Sequence, residues 1–395
     1  MGDINQINDV AAANINQVND VAKANINEVN DQGVAASGAT QWAVTAADGH
    51  FLYAANSDLT SWTRYDSYDE GSNSQGSGDG EHIGYGKDSN GAGIYIATRA
   101  QQNGGTQTKE LHRSGTDITS TSEWTNIDVD GDSNSLNHIQ HIQWGARSNG
   151  ATAGTWIAVG KQASGDIFRS IDGGANWSAV DISGLTGHSS GNANADYLNG
   201  VASNGAGAWM FAQDNRIYYS TDDGASWAVS VPNWSNNESP GKPQGIVFTN
   251  NSWVLCYSRQ SAVRFRSCAA SDITDWGDEV DAISMSSPSA NGSNVKIAAA
   301  NGNVVACSEA NLQINRFTVD GKTIGTVSKT TQTGHGTCKG LATDGTTWIM
   351  ACTIGDLIVS TDNGANWTQK LDAFQADGSN VINLAGVAGN VFYPL

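Results

Sequence analysis

Proline, charge and cysteine are all scarce in this sequence, and each shortage narrows the possibilities. Five prolines and 15% charged residues stand against 46 glycines in 395 residues. That balance suits many short strands joined by polar turns better than a helical protein. The five cysteines, Cys256, Cys268, Cys307, Cys338 and Cys352, all fall in the second half. An odd number without regular spacing is no disulfide framework and fits no zinc-ligand pattern. Several lie in apolar runs such as Val254-Leu255-Cys256 and Ile349-Met350-Ala351-Cys352, which marks them as buried thiols and implies folding in a reducing cytoplasm. No basic segment followed by an apolar run opens the chain, so no signal peptide is expected. No apolar stretch is long enough for membrane insertion. Basic residues are outnumbered, 20 against 39 acidic, for a formal charge of −19. Such a balance argues against nucleic acid or an anionic membrane as partner and serves solubility. The length allows one large repeat domain plus an appendage.

What the sequence does have is repetition. Ser360-Thr361-Asp362-Asn363-Gly364-Ala365-Asn366-Trp367 has the make-up of a tight turn between two strands. The Asp362 carboxylate can accept the amides of the turn, Gly364 can adopt a positive φ, and Trp367 can pack beneath. The same spacing recurs at Ser170, Asp172, Gly174 and Trp177, and at Ser220, Asp222, Gly224 and Trp227. Shorter relatives occur at Ser57-Asp58-Leu59-Thr60-Ser61-Trp62 and Ser271-Asp272-Ile273-Thr274-Asp275-Trp276, and a longer one runs from Asp117 to Trp124.

Each turn closes a larger unit of four short strands, the second often opened by tryptophan. Gly33-Val34-Ala35…Trp42-Ala43-Val44 aligns with Gly200-Val201-Ala202…Trp209-Met210-Phe211 and with Gly340-Leu341-Ala342…Trp348-Ile349-Met350. The units are 33–66, 81–128, 139–182, 197–232, 243–281, 294–330 and 338–374. Seven four-stranded units predict an all-β, seven-bladed propeller with small residues crowded at its axis. Two apolar runs near the end, within 380–395, are expected to close the ring by joining the first blade, since an open ring leaves a strand edge unpaired. The Ser-x-Asp-x-Gly-x-x-Trp turns resemble the Asp-box of sialidase-like β-propellers. In that family the box is structural, and many members are not enzymes.

Ahead of the propeller, residues 1–32 carry an 11-residue repeat. Ile4, Ile15 and Ile26 are in register, as are Ile7, Val18 and Val29. Taken as a helix these form one stripe at about 3.67 residues per turn, which needs partner chains to cover it. The competing reading is a short stacked repeat of strands and turns, because β-branched residues and asparagine are mediocre helix formers. Either way the segment is expected to oligomerise or dock. The run Asn14 to Ile26 resembles repeats near the N-terminus of structural proteins of tailed bacteriophages. The resemblance implies attachment to other virion proteins through this segment, and display of the C-terminal domain.

Candidate sites follow from the propeller. Catalytic sialidases grip a carboxylate with three arginines and carry an Arg-x-Pro motif, and no Arg-x-Pro occurs here. Arg169, Arg216, Arg264 and Arg266 are expected in third strands, away from the axis, so no catalytic residues are assigned. His82 and His141 hold equivalent places before innermost strands, and His335 lies near the seventh. With Tyr197 they are the candidates for a ligand face opposite the turns, where a small ligand or glycan can bind. Asp128, Asp130, Asp132 and Asn134 place oxygens at alternating positions, as the start of a calcium loop does, but Ser133 and Ile139 stand at positions six and twelve of such a loop. An acidic turn between blades fits the same run, and no other cofactor is expected. The functional expectation is a virion structural protein, made in the host cytoplasm, self-associating, and displayed as a tail-fibre adhesin or a decoration module. The alternatives are a glycan-degrading virion enzyme and a protein-binding assembly scaffold.

Overall fold

The computed structural model describes residues 17–18, 21–22, 39–46, 51–65, 82–98, 111–119, 123–129, 138–161, 166–185, 198–213, 216–230, 242–259, 262–286, 295–308, 312–372 and 384–390. Two compact units are delimited, Met1–Ser37 and Gly38–Leu395. In the first, Gln17–Val18 pairs antiparallel with Val21–Ala22. The helical reading of the repeat is therefore corrected at these four residues. Valine at positions 18 and 21 favours extended backbone, and asparagine and aspartate at 19 and 20 favour a turn. Ile4, Ile7, Ile15, Ile26 and Val29 lie outside the described residues.

The second unit is a ring of seven antiparallel sheets, the seven-bladed propeller. The innermost strands of blades 2 to 7 are Ile83–Lys87, His138–Gly145, Leu198–Ser203, Lys242–Thr249, Val295–Ala300 and Cys338–Thr343. Each leads outward through three further strands in sequence order, and in blade 6 the outer position is shared by Thr323–Ile324 and Ser328–Thr331. Blade 1 is assembled from both ends of the unit. Leu384–Gly389 is its innermost strand and pairs with Gln41–Ala46, followed by Phe51–Ala55 and Thr63–Tyr65. Gly386-Val387-Ala388 thus fills the place that the repeat alignment assigned to Gly33-Val34-Ala35; residues 33–37 lie outside the described residues.

Both faces of each blade are apolar, so the core is a series of clusters, one at each junction between blades. Ile94 and Ile96 of blade 2 pack with Ile142 and Trp156 of blade 3, and Ile349 and Leu357 of blade 7 pack with Trp42 and Leu52 of blade 1. Trp42, Trp156, Trp209, Trp253 and Trp348 open second strands and are fully buried. The Trp156 indole reaches back to the previous blade and donates to the Lys87 carbonyl at 3.2 Å. Burying these rings and their aliphatic neighbours is the main source of stability.

Where neighbouring innermost strands approach most closely there is room only for backbone. A Cβ on Gly340 would sit 2.1 Å from the Ala385 carbonyl oxygen, and one on Gly386 would sit 2.7 Å from the His82 Cα. Blades 7, 1 and 2 therefore touch through glycine, across the very strand that closes the ring. Gly340→Ala should destabilise the protein by about 1–3 kcal/mol through overpacking, read as a lowered urea midpoint. Gly184→Ala is the control, since nothing lies within 4 Å of its added Cβ. Equal midpoints for the two variants would show that the axial contact at Gly340 does not constrain packing.

Candidate functional site

The turns between third and fourth strands show one geometry three times. In blade 3, Ser170 Oγ donates to Asp172 Oδ1 at 2.8 Å and accepts the Gly174 amide at 2.9 Å. Asp172 also takes the Asn176 amide at 3.0 Å and its side-chain amide at 2.6 Å. The Trp177 indole donates to the Gly174 carbonyl at 3.0 Å. Ser220, Asp222, Gly224 and Trp227 repeat these bonds with Ser226, and Ser360, Asp362, Gly364 and Trp367 repeat them with Asn366. Two consecutive residues take positive φ in each turn: Gly173 and Gly174, Asp223 and Gly224, Asn363 and Gly364. Only Gly, Asn and Asp enter that region readily, which explains the residues at the first of those positions. The second is glycine for a further reason, since its added Cβ would collide with Ile96, Ile157 or Val305 of the preceding blade.

These carboxylates are committed to holding turns. The amides and hydroxyl around Asp362 hold it at about 2, well below the usual carboxylate range. The variant turns, two shorter and one longer, keep the tryptophan anchor: Trp62, Trp124 and Trp276 donate to Leu59, Ile118 and Ile273, and Asp58, Asp117 and Asp272 bind Thr60, Thr119 and Thr274. Third-strand arginines tie neighbouring blades. Arg113 Nε donates to the Gly173 carbonyl at 2.8 Å and Arg169 Nε to the Asp223 carbonyl at 2.7 Å. Arg216, Arg264 and Arg266 lie in the third strands of blades 4 and 5, where Arg264 pairs with Glu279 and, at 3.1 Å, with Asp281. All five cysteines are free and buried, and burial pushes the Cys268 thiol up to about 12.

At the opposite end, where the innermost strands begin, the structure brings two of the candidate residues together. His82 precedes the innermost strand of blade 2 and His141 lies within that of blade 3; their rings are 4.9 Å apart. His82 Nδ1 accepts the Ile142 amide at 3.4 Å, which leaves the proton on Nε2. Both side chains keep a little exposed surface while protein surrounds them, as expected for groups lining a narrow axial channel. Desolvation first, and Lys296 of blade 6 second, lower His82 to about 4. Desolvation, His82 and Lys296 drive His141 well below the ordinary histidine value. Both are therefore neutral at pH 7. Lys296 was not among the sequence candidates, because nothing in its own blade's pattern marks a residue that acts across the axis.

The other candidates go elsewhere. His335 pairs with the buried Asp356 of its own blade, Nδ1 to Oδ2, at 2.8 Å. Tyr197, Asp130, Asp132 and Asn134 lie outside the described residues; Asp128 directly follows the outermost strand of blade 2. Among the described residues no group of three or more His, Cys, Asp or Glu converges as a metal site.

No family model matches the chain, and no curated protein does. Solved structures do. YCF48 bound to a D1 peptide matches with 18% identity and a TM-score of 0.37 over 55% of this chain; the match spans 63% of that chain, less than two thirds of it. The Dos1 propeller matches with 12% identity and a TM-score of 0.45, over 77% of this chain and 75% of its own. A putative 6-phosphogluconolactonase from Bacteroides uniformis ATCC 8492 matches with 11% identity and a TM-score of 0.53, over 88% and 98%. At such identities the likeness concerns fold alone.

The histidine pair has a measurable consequence. Folding lowers His82 from 6.5 to about 4, so between those values the unfolded chain binds the extra proton. Its stabilising contribution is complete above the unfolded value and is lost as pH falls toward the folded one. The urea midpoint should therefore drop from about pH 6.5 to about pH 4.5, and His82→Gln should drop less over the same interval. Parallel curves for the two proteins would show that His82 is not held neutral.

Proposed function

We propose that this protein is a structural component of a tailed-bacteriophage particle. In this reading the N-terminal repeat docks on other virion proteins and self-associates, and the propeller is displayed as an attachment or decoration module that meets host surface glycans. The observation that carries it is the layout: a compact unit 1–37 built on the 11-residue repeat, followed by a ring, 38–395, whose last described strand completes its first blade. A ring that closes on its own chain needs no partner to bury its core, so in this reading association falls to the repeat.

The resemblance of Asn14 to Ile26 to phage structural repeats supports the virion setting. The resemblance of the Ser-x-Asp turns to the Asp-box supports a propeller whose box carboxylates are structural. The engagement of Asp172, Asp222 and Asp362 in turn hydrogen bonds supports the same non-catalytic reading. Fold by itself does not imply function, and the reading rests on these features together.

Deleting residues 1–31 should convert an oligomer into a soluble monomer by light scattering coupled to size exclusion. An unchanged oligomeric state would overturn the docking role. Labelled 33–395 should bind host cells saturably and be displaced by soluble surface polysaccharide. Unsaturable or absent binding would overturn the attachment role.

A further inference from the structure

We propose that the end of the axial channel where the innermost strands begin is a binding site for a small ligand bearing a carboxylate or phosphate, held by Lys296 and Lys339 together with His82 and His141. The inference goes beyond the virion role and stands on different observations.

The first is the placement of charge. The chain has 39 acidic residues, yet none lies in any of the seven innermost strands. The charged residues in those strands are Lys87, Lys242, Lys296 and Lys339, joined by His138 and His141. All but Lys87 fall in the N-terminal halves of their strands, and His82 directly precedes one more. Among the described side chains, His82, His141, Lys296 and Lys339 thus stand at or near the starts of innermost strands in blades 2, 3, 6 and 7. Strands disfavour Asp and Glu in general, but they disfavour lysine as well. Propensity accounts for the missing carboxylates and leaves the lysines unexplained. In a protein of net charge −19, innermost strands that carry lysine and no carboxylate favour a local positive potential that draws anions inward.

The second observation is convergence. Lys296 of blade 6 acts electrostatically on His82 and His141, which come from blades 2 and 3. The two histidine rings meet at 4.9 Å across blades 2 and 3, and Lys296, on the innermost strand of blade 6, bears on both. Among the described residues no carboxylate pairs with Lys296. The His82 tautomer leaves an Nε2–H donor, so the site combines ammonium charge with imidazole donors and suits an oxyanion. Lys339 is the extra residue of a β-bulge between Cys338 and Gly340, an irregularity that turns a side chain out of the regular ladder. Blade 5 carries a bulge at Gln244 and blade 3 one at Gln140, so the rim departs from regular pairing in several blades. A metal cation is the poorer occupant, because the lysines repel it and among the described residues three ligating side chains do not converge.

Isothermal titration of the full chain with three sugars of one skeleton tests the assignment. The expected result is binding of glucuronate or glucose 6-phosphate with no measurable binding of glucose, and the stronger of the two anions identifies the preferred group. Lys296→Gln and Lys339→Gln should each weaken binding roughly tenfold or more. Lys370→Gln, on the outermost strand of blade 7, should leave it unchanged. Equal binding of glucose, silence of both anions, or affinity unaltered in both inner-strand variants would each overturn the site. Should Lys296→Gln fail to melt cooperatively, Lys339→Gln alone decides.

Discussion

Every blade of this ring is a sheet with two apolar faces, and neither face can be left in water. Each is covered by the next blade, so the requirement passes from sheet to sheet until the last covers the first. Closure is therefore a condition of the whole structure. It explains why Leu384–Gly389 returns to pair with Gln41–Ala46, and why glycines such as Gly340 and Gly386 sit where three blades meet. The large volumes that fill the widening gaps farther out are tryptophans at the starts of second strands. The polar turns serve the same demand. Gly174, Gly224 and Gly364 seat their turns on an aliphatic side chain of the preceding blade, so the hydrogen-bonded loop is also part of the packing between blades.

The two ends of the ring differ in chemistry because they differ in construction. At the turn end, carboxylates are spent on backbone amides: Asp223 takes the Ser148 amide at 2.8 Å and its hydroxyl at 2.9 Å, and Asp344 takes the Ala39 amide at 2.8 Å. These contacts join neighbouring blades and leave little free acidity to act on a ligand. At the other end the innermost strands converge without such turns, carboxylates are absent from them, and lysine and histidine share the rim. The innermost strands of this acidic protein thus hold four lysines and no carboxylate.

Much of the fold was legible because its signals are local. A serine, aspartate, glycine and tryptophan at fixed spacing form the turn from their own hydrogen bonds, so Ser170, Ser220 and Ser360 announce themselves in the chain. The tryptophan that opens a second strand stands directly across from the serine of its turn, as Trp156 does from Ser170 and Trp348 from Ser360. Unit boundaries follow from that coupling. The exchange at blade 1 was less legible, because Gly33-Val34-Ala35 and Gly386-Val387-Ala388 carry nearly the same pattern and only pairing chooses between them. At residues 17–22 a helical period and a strand-turn-strand pattern coexist in one repeat, and valine with asparagine tipped four residues toward pairing.

The candidate site divides in the same way. His82 and His141 could be placed at one end of the ring from their position before or within innermost strands, since strand direction alternates predictably. Their contact, the retreat of His335 to Asp356, and the presence of Lys296 opposite could not be read from the chain, because residues 82, 141 and 296 belong to three blades that meet only around the axis. The sequence by itself determined the unit, its turns and the number of blades, through bonds and packing spanning a few residues. Tertiary structure alone decided which strand closes the ring and which side chains share its centre, because those contacts join residues hundreds of positions apart and exist only once every blade has covered its neighbour.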